Sequence, residues 1–72
     1  MFIIKTLNSY VCGKPRLNKK EGLTTTNERD HPAILRFATA DIARNWLKEI
    51  RQIQISQGFK SYELARGYPI PA

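Results

Sequence analysis

From Thr39 to Gly58 the chain reads TADIARNWLKEIRQIQISQG, and no other stretch constrains the fold as much. Ala43, Trp46, Leu47, Ile50 and Ile53 recur at intervals of three and four, with Ile42 at the margin. That spacing defines one apolar stripe on an amphipathic helix, with Trp46 as its largest core side chain. Thr39 has the hydroxyl of an N-cap, and Asp41 stands in the first turn, where the helix dipole favours negative charge. Gly58 is a natural stop, because glycine adopts the left-handed conformation that ends many helices. The pattern therefore predicts a helix over residues 39–57. Arg44, Lys48 and Arg51 fall on nearly the opposite face, with Ile55 in line with them, and these four form the first candidate surface for a partner.

Seventy-two residues suffice for one small domain but not for a deep cleft between two. An apolar content of 42% is that of a chain with a core, not of a disordered one. One cysteine, Cys12, and one histidine, His31, allow neither an internal disulfide nor a metal site of the usual three or four protein ligands. No cofactor is expected. The opening MFIIKTLNSY lacks the basic leader and long apolar run of a signal peptide. Nowhere are there roughly 20 consecutive apolar residues, so a membrane span is not expected. The expectation is a cytoplasmic protein.

Around the helix the segments are short. Phe2 to Leu7 is aromatic and β-branched, hence a strand. Ile3 and Ile4 would point to opposite faces, which predicts an internal strand covered on both sides. Asn8-Ser9 reads as a tight turn leading to a second extended run, Tyr10-Val11-Cys12. A basic hairpin is expected next, with its tip near Asn18 to Gly22 and a return through Leu23 to Thr26; Pro15, which lacks a donor, confines any strand here to an edge. Asn27 to Pro32 is a polar loop, and Ala33 to Phe37 reads as a short strand or a single helical turn. Phe59 to Arg66 reads as a final strand, after which Gly67, Pro69 and Pro71 end regular structure and leave 67–72 as a tail. The sum is an α+β fold in one domain, 1–72: a small three- or four-stranded, mainly antiparallel sheet with one amphipathic helix packed on one face.

The formal charge is +6, and residues 1–22 alone carry +4 through Lys5, Lys14, Arg16, Lys19 and Lys20 against Glu21. An excess of this size favours anionic partners. Lys14, Arg16, Lys19 and Lys20 read either as a solvated tip that protects a sheet edge or as a finger that contacts phosphates.

Phe37, Thr39 and Ala43 at the helix start, followed by a strand led by Gly58-Phe59, give a layout over residues 34–66 that resembles small phage and prophage accessory proteins. The resemblance rests on fold-bearing positions and implies a non-catalytic protein that binds and modulates a host protein. The composition leaves a second function open, a nucleic-acid-binding module that uses the basic hairpin and the helix face. Tyr68 and Ile70 are either packed on the domain or available to a partner. Catalysis is not expected: Asp30 and His31 adjoin in a loop but have no nucleophile beside them, and Cys12 reads as a small buried hydrophobe.

Overall fold

The computed structural model describes residues 1–13 and 24–72. Strands β1 (Phe2–Lys5), β2 (Tyr10–Gly13) and β3 (Thr24–Thr26) precede helix α1 (Ala40–Ser56), and strand β4 (Tyr68–Pro71) closes the chain. The four strands form one antiparallel sheet in the order β3-β2-β1-β4. Helix α1 packs on one face, where Ala43, Leu47 and Ile50 meet Ile4, Val11 and Ala65. This is the expected α+β architecture. The basic hairpin, including Lys14, Arg16, Lys19 and Lys20, lies outside the described residues.

Strand β1 is internal, and both Ile3 and Ile4 are buried although they face opposite ways. Its hairpin with β2 turns as expected at residues 6–9, where the Thr6 amide donates to the Ser9 carbonyl at 2.8 Å. Lys5 and Tyr10 are the one registered pair between the strands. Beyond them residues 35–37 bridge β2 to β1: the Leu35 amide donates to the Val11 carbonyl at 3.1 Å, and Phe37 exchanges bonds with Phe2 at 2.7 and 2.8 Å. The expected strand or helical turn at Ala33 to Phe37 is thus a linker with a single bridge. Leu35 and Phe37 pack on the main core, while Ile34 is buried outside it.

Helix α1 begins and ends where local chemistry places it. The Ile42 amide donates to Thr39 Oγ1 at 3.2 Å, and Thr39 itself is extended. At the other end Phe59 N–H donates to Gln54 O at 3.0 Å and Gly58 N–H to Ile55 O at 3.1 Å. This pair of bonds is a Schellman motif, with Gly58 at φ +87° in the left-handed position that glycine enters without strain.

The buried row of the helix differs from the expected stripe. It is Ala43, Leu47, Ile50 and Gln54, whereas Trp46 is half-buried against Phe37 and Ile53 is exposed. The helix is therefore rolled toward Gln54. Gln54 Oε1 accepts from the buried Ala65 amide at 2.8 Å, which offsets the desolvation of that oxygen, whereas its Nε2 is buried with no partner among the described residues.

That bond also explains why Phe59 to Arg66 is not the final strand. At its end the backbone groups of Ala65 are satisfied by helix side chains instead of a ladder: Gln54 takes the Ala65 amide, and Arg51 Nε donates to the Ala65 carbonyl at 2.7 Å. Within it Ser61–Glu63 forms a 3₁₀ turn, with Glu63 Oε1 accepting from the Lys60 amide at 2.9 Å.

The tail is a strand despite Pro69 and Pro71. The Ala72 amide donates to Met1 O, while Phe2 turns its N–H and C=O to Phe37. Phe2 and Pro71, and likewise Ile4 and Pro69, are therefore paired positions that exchange no bond across the β1–β4 ladder. Each proline lacks an N–H only where that N–H would have faced outward, so an edge strand accommodates both.

Candidate partner-binding surface

Gly67 lies where three shallow clefts meet, and its lack of a side chain creates that junction. A Cβ there would stand 2.7 Å from Ile4 Cγ2 and 3.1 Å from Lys5 O, so only glycine lets the chain lie this close on β1 before β4 begins. Its neighbours Arg66 and Tyr68 are both exposed. One cleft, of about 430 Å³, is lined by Thr6, Leu7, Arg66 and Tyr68 as well as Gly67. The second, of about 390 Å³, runs between Arg51, Leu64 and Arg66. The third, of about 280 Å³, runs along the helix past Arg44, Leu47 and Arg51 to Tyr68 and Pro69.

The three arginines are held differently. Arg51 is half-buried, and its Nε bond to Ala65 O fixes the side chain while using one of five guanidinium N–H groups. Arg44 pairs with Asp41 at 2.7 Å, with the two side chains 61% and 87% exposed. A pair so well solvated contributes about 0–1 kcal/mol and is readily exchanged for another anion. Arg66 makes no hydrogen bond or ion pair with the described residues. Beside these cations stand Tyr68, whose hydroxyl can donate and accept, and Leu7, which is 88% exposed. The arrangement can hold carboxylates or phosphates by charge and bury an apolar group between Leu7 and Tyr68.

The adjoining sheet edge restricts how anything docks. Along the outer side of β4, positions 69 and 71 are prolines and offer no amide, and Arg29 Nη2 already donates to the Pro71 carbonyl at 2.8 Å. A partner strand cannot be added there with a reciprocal ladder. Recognition at this surface falls to side chains.

Of the residues singled out from sequence, Arg44, Arg51 and Tyr68 are brought together here. Lys48 and Ile55 are exposed on the helix but line none of the three clefts. Lys14, Arg16, Lys19 and Lys20 lie outside the described residues. Arg66 and Leu7 were missed; the one signal for Arg66 is the triplet Arg66-Gly67-Tyr68, a glycine between a cation and an aromatic, which a strand assignment ending at Arg66 hides, and Leu7 has no such signal. Among the described residues there is no group of three metal-ligating side chains and no helix long and apolar enough to cross a membrane. The His31 ring serves its own turn, Nδ1 accepting from the Ala33 amide at 3.1 Å. No known protein family, curated protein or solved structure matches the chain.

Proposed function

We propose that this chain is a non-catalytic binding protein that occupies an acidic patch on a protein partner through Arg44, Arg51, Arg66 and Tyr68. The observation that carries this reading is the convergence of three arginines and an exposed tyrosine on the clefts around Gly67. Arginine and tyrosine dominate the energetics of protein interfaces because each combines a broad flat surface with directed hydrogen bonds. The exposed Leu7 beside them favours a protein over a nucleic acid, whose phosphates reward a row of cations and not an apolar flank. The resemblance of Phe37, Thr39 and Ala43 at the helix start to small phage accessory proteins directs the proposal to a host protein in the cytoplasm.

The test is affinity capture from a bacterial lysate with and without nuclease, comparing the natural chain with an Arg44→Glu, Arg66→Glu double variant. Both side chains are exposed, so the double variant should melt within a few degrees of the natural chain. The natural chain should retain a protein after nuclease treatment and the double variant should lose it. Retention by the variant would remove this surface from the function. Loss of all captured material on nuclease treatment would replace the protein partner with a nucleic acid.

A further inference from the structure

Of the three clefts around Gly67, the one of about 390 Å³ brings two arginines and a hydroxyl to one wall, from Arg51, Arg66 and Ser61. Arg51 comes from α1, Ser61 from the 3₁₀ turn and Arg66 from the residue before Gly67. The Nε of Arg51 holds the Ala65 carbonyl at 2.7 Å, which fixes the side chain and leaves the four N–H groups of its two Nη atoms for a ligand. Arg66 and the Ser61 hydroxyl make no hydrogen bond with the described residues. No described aspartate or glutamate lines the cleft, and Glu63, close by in the chain, turns its Oε1 to the Lys60 amide at 2.9 Å.

We infer that this cleft is a pocket for one phosphate monoester group, carried on a phosphorylated side chain of the partner. The inference rests on the proposed function and gives the partner's acidic patch a chemical identity. Charge and oxygen count decide between the anions. A carboxylate has two oxygens and a single charge, which the Nη fork of Arg51 satisfies alone in a bidentate pair; Arg66 and the Ser61 hydroxyl would then be left over. A phosphodiester of a nucleic-acid backbone also has two free oxygens and a single charge. A phosphate monoester has three free oxygens and a charge of about −1.5 to −2 at neutral pH, which engages both guanidiniums and the hydroxyl. Two cations in one cleft with no carboxylate between them repel each other, and a dianion relieves that repulsion fully where a monoanion does so by half. The cleft lined by Leu7 and Tyr68 shares Arg66 and Gly67 with this one, so the partner's side chains beside the phosphate meet an apolar surface.

The first test is an NMR titration of the full chain with inorganic phosphate, dimethyl phosphate and acetate at one ionic strength. Phosphate should give saturable shifts at the Ser61, Arg66 and Gly67 amides and bind about tenfold tighter than either monoanion. Arg66→Gln, at an exposed position and with a melt to check folding, should weaken phosphate by about fivefold or more. An equal response to all three anions overturns the pocket, as do shifts that spread over the lysines and arginines alike without saturating. The second test treats the bacterial lysate with phosphatase before capture, and loss of the partner supports the inference. A partner that survives phosphatase but is lost by the Arg44→Glu, Arg66→Glu double variant overturns the phosphate pocket and leaves the proposed function standing. Saturable phosphate binding by a chain that captures no protein does the reverse, upholding the pocket and overturning that function.

Discussion

The two flanks of α1 are built from the same helix and differ in how they are tied to the rest of the molecule. The cationic flank is joined to the segment after the helix: Arg51 holds the Ala65 carbonyl, and the clefts beyond it are walled by residues 64–69. On the apolar flank the Trp46 ring lies 5.8 Å from that of Phe37 at 53°. Surface function on the first flank therefore depends on the segment after the helix, whereas the second meets the linker before it. A change in the fold downstream of α1 should disturb one and spare the other.

The sharpest way to break this comparison is Gln54→Leu. It strips the Ala65 amide of its acceptor in a buried place but also removes the buried, unpartnered Nε2, so the net cost in chemical denaturation should fall at the low end of about 1–3 kcal/mol. Because Ala65 is also Arg51's partner, partner capture should fall while the fluorescence of Trp46, the single tryptophan, stays that of the natural chain. A change in both would show that the flanks are coupled through the helix. Arg51→Ala is the next smaller test. Removing one half-buried charge-assisted bond should lower stability by about 1 kcal/mol and weaken capture more than that loss explains, because the same side chain both braces and lines the site. Smallest is Arg44→Ala, whose ion pair is exposed: stability should stay within about 0.5 kcal/mol, with the effect confined to binding. A clear drop in melting temperature for Arg44→Ala would mean that the cationic flank is structural throughout.

How far the sequence reveals these features depends on the range of the interaction that fixes each one. Thr39 and Gly58 bound the helix correctly because a cap is decided within one turn, by a hydroxyl and three amides or by one left-handed residue. The internal position of β1 was legible for a similar reason, since adjacent isoleucines must bury opposite faces. Trp46 and Ile53 were assigned to the core because a pattern of apolar residues counts glutamine as polar. That count is blind to the Ala65 amide eleven residues away, which gives Gln54 a partner and takes the helix round with it.

The candidate site divides in the same way. Arg44, Arg51 and Tyr68 were visible as cations on a helix face and an aromatic near the end. Their neighbourhood was not, because it depends on Gly67 lying against Ile4 from the other end of the chain. The sequence by itself determined where α1 starts and stops, that the sheet begins with an internal strand, and that an excess of positive charge is available. Only the tertiary structure decided that the final strand is Tyr68–Pro71 and that the helix presents one cationic and one apolar flank. The physical reason is that capping and alternation are settled by neighbours in the chain. Strand pairing and helix roll are settled by whichever distant groups need hydrogen-bond partners, and prolines whose missing amides face outward do not count against a strand.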